Sequence, residues 1–473
     1  IFDTGIVQLG LLITCIYYFG FLYGLPALII GFKILGLILK QFGWYTMAFS
    51  DMLLYDEPGE CTNNICAYVE VGKCKFEDVR DRIYDRAISK IPKMHCVIQK
   101  VFGFFFWREV DPKLALERVK KAHCPIHTEE DLKKFCNQLL VKKFRKDEIP
   151  LDIYFLEDFD KEKNTSCLVI NVHHSSCDAS GLVSFFSAIL DNQFELKLKK
   201  HVEPNKWYMT PIYFFLAIFY FNYNQNRFTK IKSDSDVAKV REESDPTDFK
   251  SKIFTSGEMD FSEIRKCFKT YGPRTTFNDY FMAVTSVGAK RWYNEYGHKN
   301  AALGKISCSV NYRNLPTSYD DFHYGNYLAM IQFPFPILDD LKKSMVECRK
   351  SFWDYYSDAY SRQSSTFMYQ LAHFPLNAII DKAKESLDGM DFGISNIQFA
   401  EQKWKFFGKD CHRRGLWASK REQFKVFLMP ITYEDKFKVQ IITNWTIKMD
   451  PQKLVNHIVD VIKEDMADKI KAQ

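Results

Sequence analysis

None of the 13 cysteines forms a Cys-x-x-Cys pair, and the chain carries no arginine-rich arm and no nucleic-acid-binding motif. Scattered thiols fit a reducing, cytosolic-type compartment better than a disulfide framework, although Cys61, Cys66 and Cys74 lie close enough to keep that alternative open. A net charge of only +6, with no basic stripe, argues against nucleic acid as a partner. Charge of either sign is also missing between Asp3 and Lys33, and no small-residue cleavage site follows that stretch, which disfavours a secretory signal.

What fills the charge-free stretch is apolar, with Leu11-Leu12-Ile13 and Ala27-Leu28-Ile29-Ile30 inside it. A hydrocarbon core of about 30 Å is crossed by roughly 20 helical residues, so this stretch predicts a single transmembrane anchor. Residues between Lys33 and Lys40 continue it as an interfacial turn, giving an anchor over residues 1–42. The two lysines follow the span and Asp3 precedes it, which places the rest of the chain on the cytosolic-type side. The endoplasmic reticulum, another organelle and the mitochondrial inner membrane all remain open. A second apolar stretch, Ile212 to Phe221, is short for a span and reads either as a buried helix or as a membrane-dipping segment. With 473 residues and 47% apolar content the chain can bury substantial cores, in two or three domains.

The chemistry concentrates in Asn171-Val172-His173-His174-Ser175-Ser176-Cys177-Asp178-Ala179-Ser180-Gly181, directly after the apolar run Cys167-Leu168-Val169-Ile170. That run predicts a buried strand, so the histidines stand where the backbone leaves a sheet. Successive strand side chains point to opposite faces, so only one histidine can serve as a general base while the other braces the turn. Two diverging histidines and one carboxylate do not make a zinc set, and no metal is expected. Cys177 has no orienting third group that would make it a nucleophile.

This pattern resembles the His-His-x-x-x-Asp-Gly signature of the condensation-domain and chloramphenicol-acetyltransferase superfamily, in which the second histidine is the base. Ala179 stands where glycine is usual, and Gly181 follows two places on. Further stretches resemble, in order, landmarks of the wax ester synthase/diacylglycerol acyltransferase family. They are Ser50-Asp51-Met52-Leu53-Leu54, Pro150-Leu151-Asp152 with aspartate in a tryptophan's place, and Thr276-Phe277-Asn278-Asp279. Ser309-Val310-Asn311-Tyr312-Arg313, Gly325-Asn326 and Gly393-Ile394-Ser395-Asn396 continue the series, the last without the Pro-Gly-Pro that usually follows.

The resemblance implies an α+β fold of two chloramphenicol-acetyltransferase-like lobes, a pseudo-dimer with mixed sheets and a central channel. The lobes are expected over residues 43–221 and 253–473, joined by a polar crossover linker over 222–252. It also implies a membrane-anchored O-acyltransferase that moves a fatty acyl group from acyl-CoA to a lipid hydroxyl, as in wax ester or triacylglycerol synthesis. Acyl-CoA is then a co-substrate, and no further cofactor is implied. His174 is the expected base, with His173 and Asp178 beside it. Asp178 is structural, and Arg313 is expected to neutralise it. Asn278 and Asp279, at a helix start, and Ser395 and Asn396 are expected to line the channel for substrate, though the same residue types cap helices and make turns. The basic stretch Lys409, His412, Arg413, Arg414, Lys420 and Arg421 reads as a solvated cluster or a contact for CoA phosphates or anionic lipid headgroups. The alternative function is a noncatalytic acyltransferase-fold subunit of a membrane protein complex, or a lipid-binding protein, supported by the departures at Ala179 and Asp152.

Overall fold

Runs of β-branched and aromatic residues alternate with capped amphipathic stretches along the whole chain, and both kinds of element form in the computed structural model. It describes residues 33–55, 63–101, 104–122, 126–145, 147–195, 251–311, 313–322, 324–356, 390–399, 402–419, 424–444 and 449–471, with isolated positions 13, 14, 17, 30, 31, 227, 228, 230, 231, 233 and 447. The strands of the first half are β1 (Trp44–Thr46), β2 (Asn64–Gly72), β3 (Cys96–Val101), β4 (Phe104–Glu109), β5 (Val119–Lys121), β6 (Leu151–Asp160) and β7 (Thr165–His173). Those of the second half are β8 (Ser251–Thr255), β9 (Met259–Asp260), β10 (Leu303–Asn311), β11 (Leu328–Pro336), β12 (Met390–Ile394) and β13 (Ile397–Gln398). They continue with β14 (Lys405–Phe406), β15 (Lys409–Ala418), β16 (Phe424–Tyr433) and β17 (Lys436–Asn444).

Three sheets result. One has the order β14-β15-β2-β7-β6-β5, a second runs β11-β10-β12-β16-β17-β8 with β13 and β9 beside it, and a small third is β1-β4-β3. In the first, β2 and β7 are buried along their full length, which is why they read as near-continuous apolar runs. Helix Ala179–Ile189 packs on it, buried on nearly every side. Helices Phe277–Glu295, Leu341–Tyr355 and Pro451–Lys471 cover the second sheet, and at Gly288 a side chain would run into Ile458, so the close approach of two of them needs glycine. The mixed α+β architecture expected from the sequence is present.

Two expectations are corrected. The second lobe does not contain all of residues 253–473, because β15 crosses over and pairs antiparallel with β2, from Ala418 opposite Ile65 to Cys411 opposite Val71. Without it the apolar edge of β2 would be unpaired. The basic stretch is therefore in large part a strand. Arg413 Nε donates to the buried carboxylate of Glu70 at 2.6 Å, and Arg414, 3% exposed, lies over the rings of Trp404 and Tyr433.

Among the described residues no helix is long and apolar enough to cross a membrane. Most of the anchor expected over residues 1–42 lies outside the described residues, but residues 33–40 are helical. The stretch Ile212 to Phe221 lies wholly outside them, as does most of the expected linker.

Candidate active site

β7 ends at His173, and a three-residue turn follows before Asp178 starts the next helix. The His173 ring is buried, edge-on to Tyr55 with centroids 5.8 Å apart, and its Nδ1 lies 2.8 Å from the Ser175 hydroxyl. The Ser175 backbone N–H also donates to that nitrogen, at 3.3 Å, which makes Nδ1 the acceptor and leaves the ring proton on Nε2. His173 thus ties the turn to the strand end. His174 is half-buried, with its backbone N–H donated to the Asn63 carbonyl at 2.6 Å. Its side chain lines a cavity of about 110 Å³ between the two large sheets. The wall opposite is supplied by Ser309 and Asn311 of β10, Ser395 and Asn396 after β12, and Phe427 and Met429 of β16. Ala418 and Leu416 of the crossover strand close one side.

Asp178 is 4% exposed and fully engaged. It caps helix Ala179–Ile189 by accepting from the Gly181 N–H at 2.8 Å, accepts from the Tyr327 N–H at 3.0 Å, and is paired with Arg313 Nη2. Arg313 Nη1 donates to the Gly325 carbonyl at 2.8 Å, and the guanidinium lies 5.0 Å from the Tyr327 ring centroid. These contacts tie the helix start after the histidine turn to the Arg313 and Gly325–Tyr327 segments. The departure at Ala179 has no steric consequence, because that residue is the first of the helix and is not among the residues with positive φ. The glycine that matters is Gly181, where a Cβ would stand 2.7 Å from Cys177 Cβ and 3.4 Å from Arg313 Nη2. Burial pushes the Cys177 thiol up to about 12, which removes it as a thiolate nucleophile at neutral pH.

Asn326, which the sequence offered only as part of a Gly-Asn landmark, is a hub of the site. Its Nδ2 donates to the His174 carbonyl at 2.8 Å, the Ser175 carbonyl at 3.1 Å and Asp51 Oδ1 at 2.9 Å. Asp51, 3% exposed, is held in turn by Lys93 Nζ at 2.6 Å and Trp107 Nε1 at 3.3 Å. Ser50 Oγ donates to the Asn326 carbonyl at 2.7 Å. The early Ser50-Asp51 element and the later Gly325-Asn326 element therefore clasp the histidine turn between them.

The remaining expected residues divide. Ser395 and Asn396 line the His174 cavity. Asn278 is exposed and reaches the rim, accepting from Asn396 Nδ2 at 2.8 Å. Asp279 does not line the cavity. Its carboxylate accepts from the Thr276 N–H and hydroxyl, both at 2.9 Å, in a capping box, which explains its pairing with Thr276 in the sequence. Asp152 does not line the cavity either. It is fully buried among Arg118, Lys120 and Lys142, so the aspartate in the tryptophan's place makes an ion cluster elsewhere in the first sheet. Among the described residues no group of three or more histidine, cysteine or carboxylate side chains is placed to hold a metal ion.

Solved structures of known proteins share this fold. The wax ester synthase/diacylglycerol acyltransferase from Marinobacter aquaeolei VT8 superposes with a TM-score of 0.56 at 12% identity, covering 89% of this chain and 99% of that one. A trichothecene 15-O-acetyltransferase from Fusarium sporotrichioides gives 0.62 at 10% identity, over 89% and 95% of the two chains. The starter condensation domain of rhizomide synthetase, in a complex with C8-CoA, gives 0.59 at 9% identity, over 92% and 97%. At these identities the likeness concerns the fold. No curated protein matches. Residues 324–464 match the WS/DGAT C-terminal domain, a range that opens on the Gly325-Asn326 element and includes the crossover strand. The carboxy-terminal part of the chain thus matches the wax ester synthase/diacylglycerol acyltransferase family whose motifs its sequence resembles, and the chain shares the fold of that family's solved member.

Proposed function

We propose that the chain is an acyl-CoA-dependent O-acyltransferase acting on a lipid hydroxyl, with His174 as general base. The observation that carries this reading is His174 lining a cavity walled by both large sheets, while Asp178, the Ser175 hydroxyl and the carbonyls of His174 and Ser175 are engaged in holding the turn. A neutral imidazole takes the hydroxyl proton as the alcohol oxygen attacks the thioester carbonyl. The carbon–sulfur bond then breaks, and the imidazolium returns the proton to the departing CoA thiolate, so no acyl-enzyme forms. The family assignment of residues 324–464 and the fold support acyl transfer. The apolar amino-terminal stretch supports attachment to a membrane.

The test is turnover of labelled acyl-CoA with a panel of fatty alcohols, diacylglycerol and sterol by the full chain in lipid vesicles. His174→Ala is expected to lower the rate by about 10²–10⁴-fold while the melting curve stays in place. Equal turnover in His174→Ala and the parent protein ends the assignment of the base.

A further inference from the structure

A second and larger cavity, of about 280 Å³, lies on the far side of the Asn326 segment and does not include His174. Gly325, Asn326 and Tyr327 line it, whereas the next residue, Leu328, lines the His174 cavity. The partition is therefore one chain segment thick, and Asn326 within it donates directly to the His174 carbonyl.

The walls of this cavity fix the chemistry of a guest. Tyr45, Trp107, Phe322 and Tyr324 give it aromatic sides. Its charged groups are already matched, and the buried Asn326 Oδ1 is left as an unpaired acceptor among the described residues. Lys93 is paired with Asp51 at 2.6 Å and sits over the Trp107 ring, Asp51 accepts from Asn326, and the Tyr45 hydroxyl donates to Glu109 at 2.6 Å. A phosphate would meet an ammonium that is already neutralised and an amide oxygen that can only accept, so what the cavity offers a guest is apolar surface with one acceptor suited to a hydroxyl. Its rim points the same way. Thr46 lines the cavity and also lies against helix 33–40, where a Cβ on Gly36 would be 3.5 Å from its methyl group. That helix leaves Ile34 52%, Leu37 67% and Ile38 53% exposed, and Phe42 just beyond is 74% exposed. Apolar exposure on this scale, bracketed by Lys33 and Lys40 and continuous with the uncharged residues before it, matches a lipid interface.

We propose that this cavity receives the hydrocarbon chain of a lipid alcohol drawn from a bilayer surface across helix 33–40. That the guest is the acyl acceptor rests on the acyltransferase reading, whereas its hydrocarbon character rests on the cavity and its rim alone. Trp107 provides a local reporter. A terminally brominated undecanol, added to the full chain in phosphatidylcholine vesicles, quenches part of the tryptophan fluorescence, plain undecanol does not, and Trp107→Phe removes the quenched component. Filling the cavity by Ala48→Phe, or at the rim by Thr46→Phe, weakens the quenching titration roughly tenfold in whichever variant keeps the parent melting curve. The same variant raises KM for undecanol and leaves KM for acyl-CoA and turnover with a short water-soluble alcohol unchanged. Absence of quenching in the parent, or quenching that a folded cavity-filling variant leaves unchanged, overturns the proposal. Quenching without transfer to any alcohol instead sinks the acyltransferase reading and leaves the lipid site standing.

Discussion

Asp178 and Arg313 are both more than nine-tenths buried, so each depends on the other and on backbone groups for the solvation it has lost. Arg313→Met leaves the Asp178 carboxylate with two backbone N–H donors and no counter-charge. Breaking a buried pair in this way costs about 3–5 kcal/mol, so urea denaturation of Arg313→Met is expected to show a loss of that size. The double variant Asp178→Asn/Arg313→Met is expected to recover part of it, because the stranded charge is gone. A double variant that loses the full sum of the single losses would show that the two groups are not coupled. His173, His174, Asp178 and Arg313 were legible in the sequence because the motif places three of them within six residues and the family pattern supplies the fourth. Asn326 was not legible as a hub. The acceptors it reaches on Asp51 and His174 lie 275 and 152 residues away, a relation that only folding creates.

Among the elements, β17 and β2 meet where Lys438 reaches Tyr68, with 3.4 Å between Nζ and the phenolic oxygen. Burial draws the lysine down to about 8 from its usual 10.5. Glu129 and Glu258 oppose that shift, Lys133 and Arg413 add to it, and the Tyr68 phenol is itself pushed up by burial and stays neutral. The unfolded chain keeps the Lys438 proton up to about 10.5, whereas the folded protein gives it up above about 8. In that window the unfolded state binds more protons, so this group's contribution to stability rises with pH. Its destabilising effect is fully present below about 8 and fades toward 10.5. Lys438→Met is therefore expected to stabilise the protein at pH 7 by on the order of 3 kcal/mol, with the gain shrinking at pH 10. Denaturant titrations of parent and variant at the two pH values measure it, and a gain independent of pH refutes it. The crossover strand β15 was misread because Arg413 and Arg414 look solvated until Glu70 and the rings of Trp404 and Tyr433 are brought to them.

Across the whole molecule, the first core takes Met429, Ile431 and Ile442 from strands of the second sheet, and the His174 cavity takes its walls from both. The crossover strand adds a continuous hydrogen-bonded seam to β2. These features are expected to make the two halves one cooperative unit, although the sequence reads as two lobes and a linker. Gly415 tests this, because it faces Tyr68 on β2 and any Cβ there collides with that ring, itself stacked on Trp417 at 5.0 Å between centroids. Gly415→Val is expected to cost about 1–3 kcal/mol through overpacking. If the halves are coupled, hydrogen exchange followed by mass spectrometry will show protection falling together in β7 and in helix Phe277–Glu295, although only β7 shares a sheet with the substituted strand. Faster exchange confined to the first sheet, with that helix unchanged, would mean that the halves open independently. The His174 cavity would then be a seam between two separately folding bodies, and the clasp made by Asp51 and Asn326 would be its principal tie.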